Sequence, residues 1–77
     1  MEWIDANKEL PPNRSNSLVV KWVDRLGNNN KQICSFRENY MWDDEKTPNH
    51  YFEYYAFGID NIVTISDQKE IYWLKED

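Results

Sequence analysis

The stretch SLVVKWVDRLGNNNKQICSF, residues 17–36, contains the clearest fold signal in the chain. Residues 17–23 alternate β-branched and aromatic side chains between two faces, which predicts a strand. The next residues, DRLGNNN, include Gly27 and three asparagines, which tolerate the positive φ values of a tight reversal. Residues 31–42 then return with Cys34 and Phe36 on one face. The stretch therefore predicts a β-hairpin.

Further strands are predicted on the C-terminal side of this hairpin. The segment HYFEYYAFG, residues 50–58, reads as a strand after a polar loop over residues 43–50, and two short strands follow at NIVTIS and EIYWL. As a strand, it divides its side chains between two faces: Tyr51, Glu53, Tyr55 and Phe57 on one, Phe52, Tyr54 and Ala56 on the other.

The N-terminal segment is predicted to be mostly irregular. Pro11 and Pro12 hold it extended, while Asp5 can cap one helical turn that ends by Leu10. We therefore predict one mainly β domain over residues 1–77, with an α+β arrangement as the alternative. It would be a single small antiparallel sheet or open barrel of four to six short strands, with at most one short N-terminal helical turn.

Charge and hydropathy narrow the classes of partner. Fourteen acidic residues against nine basic ones give a net charge of -5, so a nucleic-acid backbone would meet net repulsion. We predict no direct nucleic-acid binding and expect a basic protein surface instead. No apolar run approaches about 18 residues, which predicts no membrane span. The first residues lack a basic and apolar leader, so we predict a cytoplasmic protein of a host bacterial cell.

The residue types that carry chemistry are sparse. One histidine and one cysteine cannot form a four-ligand zinc centre, and WDDEK lacks the spacing of a calcium loop. Cys34 and His50 could pair as nucleophile and base, but Cys34 lies beside Phe36 in a strand pattern, where a free cysteine is usually a buried apolar residue. We predict no metal, no cofactor and no enzymatic activity.

The aromatic residues are too many for one side of a small sheet. If the strand at residues 50–58 is aromatic on both faces, one face builds the core and the other faces solvent or a partner. The alternative is that Trp3 and Ile4 of the N-terminal segment cover the second face. The predicted protein-binding residues are Trp42, Asp43, Asp44, Glu45, Tyr51, Glu53 and Tyr55.

The chain resembles a small phage and prophage family catalogued only as a domain of unknown function. The opening EWIDANKELPP, the strand SLVVKW and the segment IYWL carry this resemblance. The matching positions are Trp3, Ile4, Leu10 and Pro11, then residues 18–20, then Trp73 and Leu74. The resemblance implies a bacteriophage accessory gene and provides no active site.

These observations lead to two hypotheses of function. The first is a phage accessory protein that binds and inhibits a bacterial host protein, such as a CRISPR or restriction complex, with acidic groups steering it and aromatic anchors holding it. The second is a homo-oligomeric sponge that sequesters a nucleotide immune signal in an aromatic pocket without cleaving it. Tyrosine and tryptophan rings would stack on the base, and Lys21, Arg25, Lys31 and Arg37 would converge on the phosphates. Exposed strand edges also predict a homodimer.

Overall fold

The protein is described by a computed structural model covering residues 1–12, 15–38 and 50–76. Six strands form one open antiparallel sheet in the order β1-β6-β2-β3-β4-β5, which confirms the predicted fold class. The strands are β1 Glu2–Asp5, β2 Leu18–Val23, β3 Asn29–Glu38, β4 His50–Ala56, β5 Ile59–Thr64 and β6 Glu70–Lys75.

The β2–β3 hairpin forms where the sequence predicts it. Asp24 organises the reversal: its Oδ1 accepts hydrogen bonds from the amides of Leu26, at 3.0 Å, and Asn28, at 2.9 Å. Gly27 takes a φ of +88°, which a residue with a side chain rarely adopts. Local turn chemistry therefore fixes the register of the two strands.

Hydrogen bonding to the Asp24 carboxylate predicts an acid-sensitive turn. The Asn28 amide is the main cause of a lowered pKa of Asp24, because it stabilises the charged form. A lowered folded pKa contributes stability above the unfolded pKa, and this contribution disappears as pH falls through the folded value. In urea titrations we expect Asp24→Asn, which keeps the acceptor oxygen, to be less stable than wild type at neutral pH. The two curves should converge as pH falls through the folded pKa of Asp24, and a pH-independent gap would contradict the charge argument.

β3 joins two parts of the sheet. Its residues 29–34 pair with β2, and Ser35 to Glu38 pair with β4, from Ser35 opposite Glu53 to Glu38 opposite His50. Trp22 of β2 and Tyr54 of β4 lie on strands that are not neighbours, yet their ring centroids are 5.9 Å apart. The sheet therefore curls, and its inner faces turn toward each other.

The core lies inside this curl. Phe36 and Phe52 are fully buried, with ring centroids 5.7 Å apart. Each such buried apolar side chain stabilises the fold by about 1.5–3 kcal/mol relative to leaving it exposed. The buried residues are Ala6, Val20, Trp22, Cys34, Phe36, Phe52, Val63, Ile65, Ile71 and Trp73.

The N-terminal segment differs from the irregular one predicted. Its first residues form β1, which pairs with β6 from Glu2 opposite Lys75 to Asp5 opposite Tyr72. Asp5 does cap a turn, because its Oδ1 accepts the Asn7 amide at 2.9 Å and its carbonyl accepts the Lys8 amide. In the part of the chain that the structure describes, the one helical element is a 3₁₀ turn at Ile65–Asp67. A four-residue strand is too short to show a periodic pattern, so its pairing depends on β6.

Candidate functional site

Tyr51, Glu53 and Tyr55 lie on the outer face of β4, as the alternation predicts, while Phe52 is buried on the inner face. The outer face contacts Arg37 of β3, whose Nε lies 3.3 Å from Glu53 Oε1. The other predicted site residues, Trp42, Asp43, Asp44 and Glu45, lie outside the described residues.

The side chains on this outer face differ in exposure. Tyr51 is half-buried, whereas Tyr55 is 71% exposed near the end of the strand. Trp3 and Ile4 do not cover this face: they belong to β1, at the opposite edge of the sheet. Ile4 packs against the core instead. Of the three described residues in the predicted site, Tyr55 is the best placed to meet a partner.

The turn between β4 and β5 holds a residue that was predicted to continue the strand. Phe57 is fully exposed and has a φ of +55°, and Gly58 follows at +76°. Two consecutive positive φ values in a two-residue loop define the type I′ turn typical of hairpins, which favours Asn-Gly. A phenylalanine there gains no burial within the described residues and adopts a backbone conformation costing about 1–2 kcal/mol.

One isoleucine of β5 extends this apolar surface. Ile62, opposite Glu53 on the outer face, is 59% exposed, whereas Ile59 lies opposite Ala56 on the other face of the hairpin. We call Tyr55, Phe57 and Ile62 the hairpin surface. Sequence reasoning missed the last two as site residues, although the alternation of Ile62 with buried Val63 marks a strand that is apolar on both faces.

Acidic groups flank the hairpin surface. Asp60 pairs with Tyr55 across the hairpin, and Glu53 pairs with Ile62. Glu53 is partly neutralised by Arg37, whereas Asp60 has no ion pair within residues 1–12, 15–38 and 50–76. The surface therefore combines apolar side chains with an unpaired negative charge.

Cys34 and His50 do not form a nucleophile and base. Cys34 is 2% exposed, and desolvation raises the pKa of its thiol to about 12, which keeps it protonated at neutral pH. His50 stacks on Phe36, with 6.0 Å between ring centroids, and its Nε2 lies 3.6 Å from Glu38 Oε1. Cys34 is therefore a core residue, as its position in the strand pattern predicts.

The four cations proposed for a nucleotide do not all converge. Arg25 binds Asp67 through a 3.1 Å ion pair, and Arg37 binds Glu53. Lys21 and Lys31 alone face each other, on β2 and β3. Any phosphate site on this face would therefore depend on these two lysines.

No family model, curated protein or solved structure matches this chain. Among the described residues, no cluster of three or more histidine, cysteine or carboxylate side chains could hold a metal ion. The same part of the chain contains no helix long and apolar enough to cross a membrane. The resemblance to a phage family stays a prediction.

Proposed function

We propose that this chain is a non-catalytic binding protein whose β4–β5 hairpin docks on a partner protein. The observation that carries the proposal is Phe57, fully exposed at a φ of +55° in a turn where Asn would be less strained. Strained residues cluster at functional sites, where the conformation serves a purpose other than stability. A rigid turn that presents an aromatic ring suits insertion into a recess.

The partner we propose has an apolar recess bordered by basic groups. Tyr55 and Phe57 would fill the recess, because desolvated aromatic anchors dominate the binding energy of many interfaces. Asp60, together with the net charge of -5, would attract the basic border and accelerate encounter. Raising the salt concentration should therefore slow association more than it speeds dissociation.

We propose that the partner is a bacterial defence protein, such as a CRISPR or restriction complex, and that docking inhibits it. Such complexes bind nucleic acid and present basic surfaces to it, which an acidic protein can occupy. The proposal draws on the acidic composition and on the resemblance to phage accessory proteins.

The test compares the hairpin surface with a matched control in capture from bacterial lysate. Tyr55→Ser with Phe57→Ser removes the proposed anchors, and Leu26→Ser removes an 88% exposed leucine from the β2–β3 turn. The captured protein is then purified and its affinity measured directly. We expect the double variant to bind at least about 30-fold more weakly, because a hot spot contributes about 2 kcal/mol or more. Leu26→Ser should stay within about twofold.

Equal weakening in the two variants would refute docking through the hairpin. A second copy of this chain is the competing occupant, because β5 is an edge strand and an unpaired edge can pair with another chain. Analytical ultracentrifugation separates the two cases. A dimer that dissociates when Tyr55 and Phe57 are replaced would assign the surface to self-association.

A further inference from the structure

The outer face of the sheet at strands β1, β6, β2 and β3 carries a row of polar and aromatic side chains. Asp5, Tyr72, Lys21 and Lys31 form one row across β1, β6, β2 and β3, each opposite its neighbour in the register. The two lysines are therefore directly cross-strand. Like charges in this position destabilise a sheet unless something else compensates for them.

Both ammonium groups lie near the side chain of Trp3. The Nζ of Lys21 lies 4.1 Å from the centroid of a Trp3 ring and 5.5 Å from the Tyr72 ring. The Nζ of Lys31 lies 5.9 Å from the centroid of a Trp3 ring. Neither lysine pairs with a carboxylate within the described ranges. Two positive charges therefore lie within about 6 Å of Trp3, and no carboxylate of the described residues neutralises either of them.

A groove of about 390 Å³ opens beside this pair. It is lined by both lysines, the half-buried Tyr72, Asn29 and Asn30, and Glu70 provides one negative charge. The Asn30 amide already donates to the Asn28 carbonyl at 3.1 Å. The volume falls within the range of about 300–1,000 Å³ typical of small-molecule sites.

We propose that this groove binds a nucleoside monophosphate. The phosphate would lie between Lys21 and Lys31, where it replaces their mutual repulsion with two charge-assisted hydrogen bonds. The base would stack on the Tyr72 ring, since every base presents a π face. Glu70 can accept hydrogen bonds from ribose hydroxyls and disfavours ligands with more negative charge. This site is independent of the proposed protein docking, because the hairpin surface lies on other strands.

The test is titration of the ¹⁵N-labelled protein with AMP, adenosine and inorganic phosphate, monitored by NMR. We expect AMP to shift the amide signals of Lys21, Lys31 and Tyr72, and to bind more tightly than either fragment. Lys21→Gln with Lys31→Gln keeps the aliphatic stems and should weaken AMP binding by about tenfold or more. Tyr72→Leu should weaken AMP binding but leave the weak binding of phosphate unchanged.

A matched control removes the same number of positive charges elsewhere. Lys8→Ala with Lys75→Ala changes two exposed lysines and should alter AMP affinity less than twofold. An equal loss in the two double variants would show that net charge, not this groove, attracts the ligand. Absence of shifts at millimolar AMP, shifts confined to other strands, or phosphate binding as tight as AMP binding would each overturn the proposal.

Discussion

Replacing Phe52 by alanine should lower the free energy of unfolding by about 3–5 kcal/mol. Phe52 is fully buried, packs on Phe36, and lies opposite buried Val63 in the register. Removing its ring leaves a cavity where the two parts of the curled sheet meet. Since small domains have free energies of unfolding of about 5–15 kcal/mol, this loss is a large fraction of the total stability.

Urea unfolding followed by circular dichroism measures this effect. Tyr55→Ala is the matched control, because it truncates an exposed aromatic side chain three positions along the same strand and should change stability by less than about 0.5 kcal/mol. If Phe52→Ala does not fold, Phe52→Leu should still fold with a loss of about 1.5 kcal/mol. Equal effects at positions 52 and 55 would contradict the assignment of the two faces of β4.

Replacing Phe57 by asparagine should stabilise the isolated protein by about 1 kcal/mol. The side chain is fully exposed, so its removal forfeits no packing within the described residues, and asparagine tolerates the φ of +55° better than phenylalanine. With Gly58, the turn would become Asn-Gly, the preferred pair for this hairpin geometry. The prediction is unusual because loss of a large apolar residue raises stability.

Phe57→Ala separates the effect of removing the exposed ring from the effect of relieving backbone strain at positive φ. Alanine also removes the ring but keeps a side chain poorly suited to positive φ, so it should stabilise less than asparagine does. Thermal unfolding of wild type, Phe57→Asn and Phe57→Ala measures the order of their stabilities. Affinity for the captured partner should fall in both variants. A destabilised Phe57→Asn would show that the ring contributes to folding, and would remove the main argument for its role in binding.

Local patterns predicted much of this fold. The β2–β3 hairpin follows from β-branched alternation on either side of Gly27, and the two faces of β4 follow from the period of Tyr51, Phe52 and their neighbours. The pairing of strands that are distant in the sequence was harder to predict. β1 has only four residues, and nothing in EWID indicates that Trp3 lies opposite Leu74. The division of β3 between two partners likewise depends on tertiary contacts rather than on residue order.

The candidate site was predicted in part. Tyr55 was identified because aromatic residues on both faces of one strand cannot all be buried. Phe57 was assigned to the same strand face, since the phenylalanine gives no sign of a turn and Gly58 alone marked the end of the run. The convergence of Lys21 and Lys31 required the register of β2 against β3, which a hairpin prediction does not fix to a single residue.

The position of β6 has a consequence for folding kinetics. β6 is the last described strand in the sequence but lies between β1 and β2 in the sheet. During synthesis on the ribosome, β1 therefore has no neighbour until β6 has left the exit tunnel. The β2–β3 and β4–β5 hairpins can form early, whereas closure around β6 waits until Glu70–Lys75 has been synthesised. Topologies dominated by such distant pairings fold in about milliseconds to seconds, so we expect slow, late closure of this half of the sheet.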